Sequence, residues 1–167
     1  MNIIMKRVLF ISLAVFLTAC GTLGQSTAEN KRIAETVSQR LDARDYRIEI
    51  NYMSPVRGPG KVVTDPYSIT VNDSVIDSHL PYVGVAYSVP YGGGKVLTFK
   101  DDIDEYSDSG WRAGQRRIVL STNNDEDTIV YTITVADSGR ADIRVRCRNR
   151  EEISYRGTFV TDEDTSD

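Results

Sequence analysis

The chain has 167 residues, 24 acidic against 20 basic side chains for a net charge of −4, two cysteines and one histidine. An acidic chain with dispersed basic residues offers no electrostatic footprint for nucleic acid. One histidine and two cysteines cannot build a structural zinc site, and nothing in the composition calls for a metal or another cofactor. The length beyond the leader suits one domain with a single core.

Lys6 and Arg7 precede the apolar run "VLFISLAVFL", Val8 to Leu17. A largely apolar run of ten residues suits a secretory signal and falls short of the roughly twenty that a spanning helix needs. The run ends in "LTAC", which looks like a lipobox: residues 1–19 are expected to be cleaved and Cys20 to carry the acyl chains. Two or more acyl chains anchor a protein stably, so the expected partner is the lipid bilayer, held through Cys20. Gly21 after the cysteine, with no acidic residue beside it, fits an outer-membrane lipoprotein facing the periplasm. With Cys20 acylated, Cys147 has no intramolecular disulfide partner.

Residues 20–28 read as a small, polar tether. Ser26 and Glu29 stand at capping-box spacing before Ile33, Val37 and Leu41, which predicts an amphipathic helix of about four turns ending near Arg44. From Tyr46 the period turns to alternation, and Tyr46, Ile48, Ile50 and Tyr52 share one face of a strand. "SPVRGPG" is a loop, "YSITV" and "VIDSHL" form a hairpin across "NDS", and "KVLTF" is a short strand. "DDIDEYSDSG" reads as an acidic surface loop leading to Trp111. "RRIVLST" and "DTIVYTITV" pair across "NNDE". "TIVYTITV" pairs with "ADIRVRC" across Asp137, Ser138 and Gly139, so that Ile129, Tyr131, Ile133 and Val135 face the core opposite Ala141, Ile143, Val145 and Cys147. "ISYRGTF" is the last strand, and residues 161–167 form an acidic tail too poor in apolar residues to order itself.

The predicted fold is mainly β with one helix, an α+β arrangement spanning residues 29–160. The N-terminal helix packs on a strongly bent antiparallel sheet of about eight or nine strands, a half-barrel or closed barrel, lipocalin-like in outline. "DYRIEINYMSPVRGPG", "LPYVGVAYSVPYGGG" and "ISYRGTF" together resemble a family of bacterial envelope lipoproteins, found chiefly in Bacteroidetes and known as domain of unknown function 4251. The likeness runs from Tyr46 to Phe159. It implies a secreted, lipid-anchored, β-rich domain and carries over no catalytic residues.

Candidate sites follow from chemistry. Tyr82, Tyr87, Tyr91 and Trp111 offer amphipathic rings to a ligand if a bulge near Gly84 brings them together; otherwise "HLPYVGVAYSVPYGGG" is strand and turn. Arg140, Arg144, Arg146, Arg148 and Arg150 alternate along one strand, and Arg144, Arg146 and Arg148 are free for an anionic headgroup or glycan if their neighbours are Thr128, Thr132 and Thr134 rather than carboxylates. His79, near Asp77, is the residue a hydrolase or isomerase would use, and strand parity places it outward. Asp125, Glu126 and Asp127 read as a solvated turn, and Cys147 as a small core hydrophobe. The expected function is a non-enzymatic binding or interaction module for an unidentified envelope ligand or partner. A small hydrolase or isomerase using His79 and nearby carboxylates, and a structural or inhibitory protein docking through a strand edge or the arginine stripe, are the alternatives.

Overall fold

A computed structural model describes residues 21–87, 97–123 and 127–161, with side chains from Thr27 onward. Cys20, Tyr91, Asp125, Glu126 and the tail beyond residue 161 lie outside the described residues. Two compact units divide the chain between Arg32 and Ile33. In the first, helix α1 (Gly21–Asp42) begins, and Arg32 reaches Glu29 one turn back at 3.5 Å. Residues 21–28, which composition reads as a tether, are helical, so Ser26 lies inside the helix rather than at its cap. Adding a residue to an existing helix costs far less than starting one.

The second unit holds the last turns of α1 and ten strands: β1 (Asp45–Pro55), β2 (Lys61–Val62), β3 (Ser68–Asn72), β4 (Val75–His79), β5 (Thr98–Asp102), β6 (Glu105–Arg112), β7 (Gln115–Asn123), β8 (Thr128–Ala136), β9 (Arg140–Cys147) and β10 (Ile153–Phe159). Every pairing is antiparallel, in the order β5-β4-β3-β1-β10-β9-β8-β7-β6, with β2 beside β1. The two outermost strands, β5 and β6, are consecutive in sequence and joined by Ile103 and Asp104 alone. Nine strands laid flat at about 4.8 Å spacing would hold these edges about 38 Å apart. A two-residue link reaches about 11 Å at most, so the sheet must curl. The edges meet at one corner, where Thr122 Oγ1 donates to the Asp102 carbonyl and the Asp104 amide to the Ser121 carbonyl, both at 2.9 Å. The result is a half-barrel.

Alternation decides what fills its inner face. Residues of β7 to β10 are buried and exposed in turn, and the β8–β9 hairpin has the predicted register: Ile129 opposite Cys147, Tyr131 opposite Val145, Ile133 opposite Ile143 and Val135 opposite Ala141. Each large aliphatic side chain buried there contributes about 1.5–3 kcal/mol. Two buried hydroxyls are paired in series: Tyr131 Oη donates to Ser78 Oγ at 3.0 Å, and Ser78 Oγ donates to the Leu97 carbonyl at 2.9 Å. Val37 and Leu41, one helical turn apart, seal the core from the helix side. The helix stops where Arg44 takes a left-handed conformation (φ 51°), which swings the chain into β1.

Four expectations change. Tyr52 does not share the face of Ile50, because a β-bulge at Asn51 sets Ile50 opposite Gly157 and Tyr52 opposite Arg156. The extra residue inverts the parity, so Met53 turns inward and Tyr52 outward. "DDIDEYSDSG" is not a loop: it supplies the end of β5 and most of β6, whose inward positions carry Tyr106 and Asp108 instead of aliphatics. Asp127 is buried rather than solvated, accepting from the Arg148 and Asn149 amides at 2.9 and 3.2 Å. Arg150, placed by alternation with the outward stripe, is also buried, 4.0 Å from Asp127.

At Gly157 any Cβ would run into the Glu49 carbonyl across the bulged β1–β10 pairing. Gly157→Ala is expected to lower stability by about 2 kcal/mol or more. Thr158→Ala, at the exposed neighbouring position, should stay within about 0.5 kcal/mol, both measured by urea unfolding.

Candidate functional site

The outer face of the half-barrel carries a groove of about 450 Å³. The register builds it as cross-strand rows. One row runs Arg117, Thr134, Asp142, Arg156 and Tyr52 over β7, β8, β9, β10 and β1. The next runs Thr132, Arg144 and Ser154 over β8, β9 and β10. All eight side chains line the groove.

Charge on this face departs from the rest of the chain. The outward positions of β7 to β10 and of the β9–β10 connection carry Arg117, Arg140, Arg144, Arg146, Arg148 and Arg156, against Asp142 and Glu152. Thr132 faces Arg144, and the Arg148 amide bonds the Thr128 carbonyl, so β8 presents hydroxyls and no carboxylate to the stripe. The carboxylate comes from the other side: Glu152 reaches Arg144 at 3.2 Å and Arg146 at 3.4 Å. Both arginines are well exposed, so these pairs are worth about 1 kcal/mol at most. The Arg156 guanidinium lies 4.1 Å from the Tyr52 ring centre, a cation–π contact that fixes its plane. Gly60 lies so close to the Tyr52 hydroxyl that a Cβ would collide with it. Tyr52 became part of the groove only through the bulge, which no residue type in "IEINYM" announces.

The aromatic candidates have separate surroundings. Trp111 Nε1 donates to Ser38 Oγ at 3.1 Å, holding α1 to β6. Tyr82 is half-buried and donates to the Glu151 carbonyl at 3.0 Å. Tyr87 is 70% exposed, with its amide on the Asn149 carbonyl. The stretch that carries Tyr82 and Tyr87 is fastened along the β9–β10 connection. Ala86 bridges Arg150, the Glu151 amide donates to the Val85 carbonyl, the Val85 amide returns to Glu151 Oε2 at 3.2 Å, and Tyr155 Oη donates to the Pro81 carbonyl at 2.6 Å. Gly84 fits because the Tyr82 hydroxyl occupies the space of a Cβ. Val83, Val85 and Tyr87 all remain exposed.

His79 is exposed at the end of β4, its ring 5.2 Å from that of Tyr67. Among the described residues it makes no side-chain hydrogen bond or ion pair. Cys147 is buried, and desolvation pushes its thiol up to about 12, which keeps it protonated. Among the described residues no group of three or more His, Cys, Asp or Glu is placed to hold a metal, and no helix is long and apolar enough to cross a membrane.

A charged cluster that alternation does not foresee locks α1 to the sheet. Arg116 is buried on β7, its Nε 3.0 Å from both Asp108 oxygens and its Nη1 2.6 Å from Asp42 Oδ1. Burial is the largest single influence and pulls the Asp108 carboxyl upward, but the hydrogen bonds from Arg116 and the Gly110 amide, with the charges of Arg116 and Arg44, together outweigh it and hold the group below its ordinary value. A lowered folded-state pKa stabilises above the unfolded pKa, and that share is lost as pH falls through the folded value. Asp108→Asn should therefore cost about 1–2 kcal/mol at pH 7. The gap between variant and native chain should close below about pH 4, read by thermal unfolding across pH.

A crystal structure of a DUF4251 family protein from Bacteroides eggerthii DSM 20697 superposes with a TM-score of 0.60 at 15% identity, covering 80% of this chain and 90% of that one. At that identity the likeness is one of fold. Among curated proteins no sequence matches. The family described as "Domain of unknown function (DUF4251)" matches residues 28–159, from α1 to the end of β10. Most of the helix, the bulged β1 and the glycine-bearing β10 fall within that span, and the chain belongs to this family.

Proposed function

We propose that this protein is a non-enzymatic binding module of the cell envelope, tethered by an acylated Cys20 and taking an anionic ligand on the outer face of its sheet. The observation that carries the reading is the clustering of Arg117, Arg144 and Arg156 in one groove of a chain whose net charge is −4. Clustered like charge raises the local concentration of an oppositely charged ligand, and guanidinium groups pair with carboxylate or phosphate through two parallel hydrogen bonds. Threonine and serine hydroxyls between the arginines supply neutral donors. Arg146 on β9 and Arg148 just beyond its end extend the positive field.

The anchor rests on the leader: a short basic start, a largely apolar run of ten residues and the lipobox-like "LTAC". Gly21 supports the outer membrane, on its periplasmic side. A catalytic reading has less support, since His79 has no carboxylate partner among the described residues and the Cys147 thiol is buried.

Two measurements test the two halves. Replacing Arg117, Arg144 and Arg156 together by Gln should reduce binding of the intact chain to linear oligogalacturonate at least tenfold, with the loss shrinking as salt rises. Unchanged binding would remove the anionic-ligand reading. Cys20→Ser should abolish incorporation of labelled palmitate in cells, and persistent labelling would remove the anchor.

A further inference from the structure

The groove holds a negative charge that a site for a plain polyanion would not contain. Asp142 sits in the middle of the row Arg117, Thr134, Asp142, Arg156, Tyr52, directly opposite Arg156 on the neighbouring strand. Charges facing one another across strands ordinarily pair. These do not: Arg156 lies over the Tyr52 ring, Arg144 is held by Glu152, and among the described residues Asp142 makes no ion pair or side-chain hydrogen bond. Exposed guanidinium and carboxylate groups thus stand side by side in one groove without neutralising each other.

Resting on the anion-binding reading, we infer that the ligand is an acidic sugar, whose carboxylate is bordered by hydroxyl groups. Its carboxylate meets a guanidinium of the groove, and a neighbouring hydroxyl donates to Asp142. An ionised carboxylate only accepts hydrogen bonds, so it needs a donor from the ligand and repels a phosphate or sulfate chain that has none. Thr132, Thr134 and Ser154 can each donate and accept, which suits further ring hydroxyls. The Arg156 and Tyr52 stack closes the row with a flat wall. Asp142 is in this reading the residue that sets specificity, while the arginines supply attraction.

The sign of one substitution decides. Asp142 is exposed, so Asp142→Ala leaves the core untouched. The intact chain and this variant are titrated with linear oligogalacturonate and with inorganic polyphosphate of the same charge. An acidic-sugar site predicts that Asp142→Ala weakens oligogalacturonate binding about tenfold, the loss of hydrogen bonds to a charged acceptor, and leaves polyphosphate binding equal or tighter. Tighter or unchanged binding of both probes overturns the inference while leaving the anion-binding reading intact. If the variant with Arg117, Arg144 and Arg156 replaced binds both probes as the native chain does, both readings fall together.

Discussion

Joining the first and last strands of a nine-strand path through two residues leaves the sheet no flat solution. The link at Ile103 and Asp104 forces curvature, and curvature divides the molecule into a concave side, where side chains crowd, and a convex side, where they spread. Tyrosines and branched aliphatics take the first. Arginines and hydroxyl residues of the same strands take the second. The core and the groove are therefore two faces of one alternating pattern, and neither can be altered in register without the other.

Curvature is not spread evenly. The bulge at Asn51 lies in β1, next to β10 at the centre of the path, beside Gly157. A side chain at Gly157 would push the two strands apart beside the bulge. The same bulge turns Tyr52 outward beneath Arg156, so the device that lets the sheet bend also supplies the aromatic wall of the groove. On the concave side the helix is fastened by groups of a different kind, with Val37 and Leu41 in apolar contact and Ser38 and Asp42 bonded to Trp111 and Arg116.

Much of this was legible in the sequence wherever local pattern and tertiary role agree. The β8–β9 hairpin could be read to the residue pair because both strands alternate strictly and Asp137, Ser138 and Gly139 leave no choice of turn. The outward stripe of Arg144, Arg146 and Arg148 came from the same alternation, as did the buried place of Cys147. Reading failed where polarity and position part company. Arg116 and Asp108 point inward because they satisfy each other, yet a polar residue in an alternating strand reads as exposed, so β6 passed for a loop. Arg150 and Asp127 misled in the same manner. Tyr52 escaped because an inserted residue shifts parity without leaving any chemical mark. The convergence of Arg117, Arg156 and Tyr52 on Asp142 needs strands far apart in the chain to become neighbours, which only the register can show.

A curled sheet that does not close keeps two terminal strands, and unpaired backbone along such strands invites other chains to add themselves. Here those strands are poor templates. β5 places Lys100, Asp101 and Asp102 in a run of five residues, and β6 carries Glu105 and Asp108 together with a kink at Gly110, whose backbone is left-handed (φ 66°). Charges and a kink on an edge oppose strand addition. Wherever copies of the chain come close together, the composition of these two strands decides whether high local density yields separate molecules or fibres.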